Sequence, residues 1–146
     1  MTQHHQFTRK ALLALALTAG AMGFAQAETV KIKAALNGAN EVPAVAGSAS
    51  GALDGTLDTA SNLLKWKTTY SGLTGPASAA HFHGPAAAGQ NAGVAVPFKS
   101  PASGAEGEAT LTAAQTADLM AGKWYANVHT AANPGGEIRG QVSAAK

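Results

Sequence analysis

Short segments in which apolar and polar residues alternate are the feature that most restricts how this chain can fold. In the first, TVKIKAAL at residues 29–36, Val30 and Ile32 alternate with Lys31 and Lys33. Successive side chains of a β-strand point to opposite faces, so this pattern predicts a strand with one buried face. The residues that separate such segments are rich in Gly, Pro, Asn and Ser, which favour turns.

Further strands are predicted at 48–58, 62–73, 78–84, 93–98, 107–111, 123–130 and 136–144. The composition of TAANPGGE, residues 130–137, indicates a turn that joins the last two strands as a hairpin. One short helix is predicted after Thr112, because Gln115 lies three residues further on, the spacing of a capping box. Seven or eight short strands with one connecting helix predict an all-β fold, an antiparallel Greek-key sandwich or flattened barrel.

The first 27 residues have the organisation of a secretory signal peptide. Arg9 and Lys10 precede an uncharged apolar run, and small residues lie at the end of the segment, which closes with Ala27. This order of charged, apolar and small residues predicts cleavage after Ala27 and a mature domain at 28–146. No second long apolar run follows, so we expect a periplasmic or secreted protein without a membrane anchor.

Charge and cysteine content exclude several function classes. Without Arg9 and Lys10 the chain has eight basic and eight acidic residues, so its formal net charge is zero. A neutral chain lacks the electrostatic attraction that nucleic acids and anionic membranes require, and we expect neither as a partner. The absence of cysteine excludes disulfides, thiolate catalysis, iron–sulfur clusters and blue-copper sites.

Three histidines lie beyond residue 27, and their spacing suggests one site. His81 and His83 are two residues apart in a predicted strand, so both side chains lie on one face while Phe82 points to the other. His129 lies near the end of the strand predicted at 123–130, on the more polar of its two faces. The absence of other histidines favours a shared metal site, although structural histidines that bond across strands or cap a turn also fit the spacing.

Three imidazoles suit Cu(II) or Zn(II), with an open position for water or a carboxylate. Copper is the favoured metal and zinc the alternative. Glu41 and Glu137 are candidates for a fourth ligand or for orienting a ligand. The alternative role of Glu41 is to fix its own loop, and that of Glu137 is to pair with Arg139 or a lysine on an exposed face.

Hydrolytic catalysis has little support in the sequence. No serine lies in a Gly-x-Ser-x-Gly elbow. The paired acidic residues Asp54 and Asp58, and likewise Glu106 and Glu108, have the spacing of solvated strand faces. We therefore predict no catalytic residue.

Three blocks closely resemble the CHRD domain, a family named from chordin and also found in exported bacterial proteins. They are NGANEVPAV at 37–45, HFHGPAAAGQNAGVAVPF at 81–98 and the segment 111–142, which contains KWYANVHTAANPGGEIRGQV. The resemblance, over about residues 29–142, implies an immunoglobulin-like β-sandwich whose characteristic blocks include all three histidines. This chain departs from chordin in having one domain without cysteine-rich neighbours, so growth-factor binding is not expected.

The His-x-His strand with a later third histidine is also similar to copper–zinc superoxide dismutases. The chain lacks their disulfide cysteines, bridging histidine and zinc loop, so dismutase activity does not follow. We expect an exported metal-binding domain with His81, His83 and His129 as ligands. The alternative is a non-catalytic interaction or adhesion module, with a protein partner or a second copy as its ligand and structural histidines. A small redox enzyme is the third hypothesis.

Overall fold

The computed structural model of the protein describes residues 27–145 and shows an all-β fold with one short α-helix. The predicted signal peptide lies outside the described residues, apart from Ala27. The strands are β1 (Thr29–Asn37), β2 (Ser50–Asp58), β3 (Leu63–Ser71), β4 (Ala77–His83), β5 (Val94–Pro97), β6 (Glu106–Thr110), β7 (Tyr125–Thr130), β8 (Ile138–Gln141) and β9 (Ser143–Ala145). The helix α1 spans Ala113–Met120, and a short 3₁₀ helix, Gly38–Asn40, follows β1.

The strands form an antiparallel sandwich of two halves. In one half β2 lies between β1 and β3, and β6 forms the edge beside β3. In the other half β4 lies between β5 and β7, and β7 also pairs with β8. β3 and β6 are neighbours although β4 and β5, which separate them in sequence, belong to the other half. This arrangement confirms the predicted antiparallel β-sandwich with Greek-key crossovers.

The last predicted strand is divided in two by a change of partner. β8 pairs with β7 and, at Arg139, also with Asn37 of β1, whereas β9 pairs with β1 through residues 31–33. Between them Val142 is buried and its N–H donates to the carbonyl of Trp124. β8 thus joins the two halves of the sandwich, and after Val142 the chain continues beside β1, which produces a ninth strand where the alternation pattern showed one continuous segment.

Aromatic side chains from both halves meet in the core. The Trp66 ring of β3 packs edge-on against the Phe82 ring of β4, with centroids 5.0 Å apart, and Phe82 lies 5.7 Å from Trp124. Phe82 is fully buried, and burial of such a side chain stabilises a fold by about 1.5–3 kcal/mol. Since neighbours in a strand point to opposite faces, the burial of Phe82 directs His81 and His83 away from the core.

The predicted capping box is present at the start of α1. The Thr112 hydroxyl accepts a hydrogen bond from the Gln115 N–H, and the Gln115 side chain accepts one from the Thr112 N–H. Leu119 is fully buried, and Gly122 follows the helix with a positive φ of 72°. The helix therefore connects β6 to β7 and fixes the start of the strand that carries His129.

Three acidic residues on the outer face of the first half, Asp54, Glu106 and Glu108, are exposed, as predicted. Asp58 is half-buried, and its carboxylate accepts from the N–H groups of Ala60 and Ser61 in the following turn. Exposed ion pairs join Lys33 to Asp54 at 3.5 Å and Lys67 to Glu106 at 3.7 Å. Exposed pairs of this kind contribute little to stability, about 0–1 kcal/mol. Within residues 27–145, no helix is long and apolar enough to cross a membrane.

Candidate metal centre

Two adjacent strands bring the three histidines together. In the register of β4 and β7, His81 lies opposite Asn127, and Ala79 lies opposite His129. His129 is therefore a diagonal neighbour of His81, within the reach of long side chains across a sheet. His81 Nδ1 lies 3.1 Å from His129 Nε2. One potential ligand nitrogen from each of His81, His83 and His129 lies within 4.8 Å of the others.

Backbone carbonyls orient two of the three imidazoles. His83 Nδ1 lies 3.0 Å from the Ala92 carbonyl oxygen, and His129 Nδ1 lies 2.9 Å from that of Pro134. A carbonyl oxygen can only accept, so each Nδ1 bears the proton and donates. In the neutral imidazole the other ring nitrogen, Nε2, then keeps its lone pair. Metal-binding histidines have this arrangement, in which the nitrogen that does not bind the metal donates to a carbonyl or carboxylate.

The Nε2 atom of His83 is buried without a hydrogen-bond partner among the described residues. A buried acceptor that lacks a partner costs about 1–3 kcal/mol. Here the acceptor lies in a cluster with two further imidazoles. A metal ion bound by the three nitrogens would satisfy it.

The environment favours the neutral, metal-binding form of two of the rings. Burial lowers the pKa of His81 below its usual value, and the nearby His129 and His83 lower it further. Burial also lowers the pKa of His83, against the opposing effect of its hydrogen bond to Ala92. Both rings therefore remain uncharged at neutral pH, with lone pairs available.

A family model described as the CHRD domain matches residues 32–142, most of the chain and all three histidines. The chain belongs to the CHRD-domain family. Neither the search of curated proteins nor that of solved structures found a match. Family membership confirms the resemblance noted in the sequence, and it assigns no role to the histidines.

The loop of this CHRD domain between β4 and β5, residues 84–93, lies against the histidine cluster. Besides Ala92, which accepts from His83, the loop offers the Gln90 carbonyl and the Asn91 side chain to the guanidinium of Arg139. The hydroxyl of Tyr125 also bonds to the backbone of Ala92. These contacts bury the polar face of β7. The alternation pattern identified this face as polar but did not indicate that a loop covers it.

Tyr125 and Arg139 support the ring of His83, although their positions in the sequence did not indicate a part in the site. The rings of His83 and Tyr125 are parallel to within 1°, with centroids 4.8 Å apart. The Arg139 guanidinium carbon lies 3.4 Å from the centroid of the Tyr125 ring, a close cation–π contact. One signal was present in the sequence: the six residues of β7 contain no charged side chain, as expected for a strand buried on both faces.

Glu137 has a structural role in this CHRD domain and does not belong to the ligand group. Its carboxylate accepts hydrogen bonds from the N–H and hydroxyl of Thr74, from the Thr130 hydroxyl and from the Asn133 amide. Burial raises the pKa of Glu137, but these hydrogen bonds outweigh it and hold the pKa below its usual value. The expected pairing with Arg139 or a lysine on an exposed face is wrong, because Glu137 is only 2% exposed and its acceptors are occupied.

Glu41 also lies outside the ligand group, although it is buried nearby. Its Oε1 atom has no hydrogen-bond partner among the described residues. Burial raises the pKa of Glu41 to about 7, against the opposing effects of Arg139, the Asn127 amide and the Val42 N–H. The contact with the Val42 N–H supports the alternative that Glu41 fixes its own loop.

Proposed function

We propose that this CHRD domain is an exported metal-binding protein that holds one Cu(II) ion through His81, His83 and His129. Zn(II) is the alternative metal, since both ions accept imidazole nitrogen ligands. The observation that carries the proposal is the buried Nε2 of His83, which has no hydrogen-bond partner within residues 27–145 although Nδ1 of the same ring donates to a carbonyl. One potential ligand nitrogen from each of the three histidines lies within 4.8 Å of the others.

Access to the ion is expected from the side of His81. His83 and His129 are buried, whereas His81 is only half-buried. An ion held by the three rings would therefore have one accessible side, open to solvent or to a partner that delivers or receives metal. This arrangement suits binding and buffering of a metal, with residues 1–27 as the export signal.

The proposal is tested by titrating tag-free protein with Cu(II), with calorimetry and electron paramagnetic resonance as the two methods that monitor binding. His4 and His5 are replaced by alanine in every sample, so that only the three described histidines remain. We expect one nitrogen-ligated Cu(II) per chain. His81→Ala should weaken binding by at least a hundredfold, because it removes one of the three imidazole ligands. The variant should still fold, because the ring of His81 is only half-buried.

Gln90→Ala is the matched control, because this exposed side chain lies in the loop beside the site while its backbone carbonyl still accepts from Arg139. It should leave the Cu(II) affinity unchanged. Weak, non-stoichiometric binding of both Cu(II) and Zn(II) would overturn the proposal. The histidines would then be structural, and the domain an interaction module.

A further inference from the structure

Asn127 lies at the centre of the histidine cluster. It lies opposite His81 in β4 and opposite Arg139 in β8, and it is 3% exposed. Because side chains two residues apart in a strand share a face, Asn127 points to the same side of β7 as His129. Its position is therefore fixed by a central strand and not by a loop.

The carbonyl oxygen of Asn127 faces the ligand nitrogens. Asn127 Oδ1 lies 2.9 Å from His129 Nε2. Since His129 Nδ1 donates to the Pro134 carbonyl, the neutral ring presents a lone pair at Nε2, and Oδ1 also presents lone pairs. Two acceptors at this distance repel each other unless a cation or a proton lies close to both.

The other end of the Asn127 amide faces Glu41. The amide nitrogen lies on this side, where the Asn127 side chain donates to Glu41, and the amide oxygen lies beside the histidines. Gly136 permits the contact: its φ is +125°, and a Cβ there would overlap Glu41 Oε1 and lie 2.7 Å from Asn127 Nδ2. Glu41 and Gly136 thus hold the amide in one orientation.

We infer that the Asn127 carbonyl oxygen is the fourth protein ligand of the metal, which completes a set of three nitrogens and one oxygen. This inference rests on the proposed function of the three histidines. An amide oxygen is a weak ligand beside imidazole, as in copper sites with a long axial oxygen, so the histidines set most of the affinity. Glu41 is then a positioning residue that acts through the Asn127 amide.

The direct test uses the wild-type chain labelled with ¹³C and ¹⁵N and titrated with Zn(II), which is diamagnetic. Nuclear magnetic resonance would follow the imidazole nitrogens and the Asn127 carboxamide together. We expect the side-chain carbonyl carbon of Asn127 to shift in step with the three imidazoles. If the imidazoles shift and the Asn127 carbonyl does not, this inference is wrong and the three-histidine site stands. If the wild type binds neither Zn(II) nor Cu(II), the proposed function itself is wrong.

Variants provide a second measurement with Cu(II). Leucine has nearly the same shape as asparagine but lacks the amide oxygen. For Asn127→Leu we expect one-to-one Cu(II) binding that is weakened roughly ten- to hundredfold, with altered electron paramagnetic resonance parameters. Asn127→Asp keeps an oxygen at this position and should bind within tenfold of the wild type. An unchanged affinity and an unchanged spectrum in folded Asn127→Leu would overturn the inference. Should Asn127→Leu fail to fold, the nuclear magnetic resonance titration of the wild type with Zn(II) decides alone.

Discussion

The imidazole of His83 and the phenol ring of Tyr125 are stacked in parallel, with centroids 4.8 Å apart. Both residues bond to Ala92 in the loop between β4 and β5, His83 through Nδ1 and Tyr125 through its hydroxyl. The stack and the hydrogen bonds together fix the plane of the imidazole. The direction of the His83 Nε2 lone pair is therefore set before any ion binds, as preorganised metal sites require.

Substitution of Tyr125 separates the two parts of this support. Tyr125→Phe keeps the ring and removes the hydroxyl, and we expect a loss of about 1 kcal/mol in the free energy of unfolding. Tyr125→Leu also removes the contacts with His83 and Arg139 and should cost about 3 kcal/mol. Urea denaturation at pH 7 with a chelator present measures both. Equal losses in the two variants would show that the ring contacts contribute nothing.

Bound metal should raise the stability of the folded chain. An ion that binds the native state alone adds about 2.7 kcal/mol to the free energy of unfolding when its free concentration is a hundred times Kd. We expect this increase with Cu(II), its reversal by a chelator, and its absence in His81→Ala. Urea denaturation with and without the ion provides the measurement. An equal increase in His81→Ala would place the bound ion elsewhere.

Glu41 should reduce stability as pH rises. Burial raises the pKa of Glu41 from 4.5 to about 7 in the folded protein, so its contribution to stability is full below pH 4.5 and is lost as pH rises through about 7. Glu41→Gln mimics the protonated acid. We expect this variant to gain stability relative to wild type between pH 4.5 and 8, measured by chemical denaturation without metal. A difference between Glu41→Gln and wild type that does not change with pH would contradict the prediction.

Glu137 should be important for stability because its carboxylate connects the segment after β3 to the turn between β7 and β8. Glu137→Gln replaces one acceptor oxygen with a donor amide, which leaves at least one buried hydrogen-bond donor without a partner. We expect a loss of about 2–3 kcal/mol in the free energy of unfolding. The matched control is Glu106→Gln, whose exposed pair with Lys67 should change stability by less than about 0.5 kcal/mol. Similar losses in both variants would mean that the hydrogen bonds of Glu137 contribute no more than a surface ion pair.

The sequence by itself determined the position of the helix, of all strands but the ninth, and of one half of the site. Alternation located the strands, the Thr112–Gln115 pair located the start of the helix, and the two-residue spacing of His81 and His83 placed their rings on one face. Each of these features depends on residues that are close along the chain, where backbone periodicity and local hydrogen bonds decide the outcome.

Only the tertiary structure decided what each polar face contacts. The proximity of His129 to His81 depends on the register of β4 and β7, and the contacts that cover Tyr125 come from a loop more than thirty residues away in sequence. Glu137 accepts hydrogen bonds from Thr74, 63 residues away in sequence, and the last strand divides at Val142, after which the chain continues beside β1. Local alternation records which side of a strand is apolar, but it carries no record of the distant segment that covers the other side.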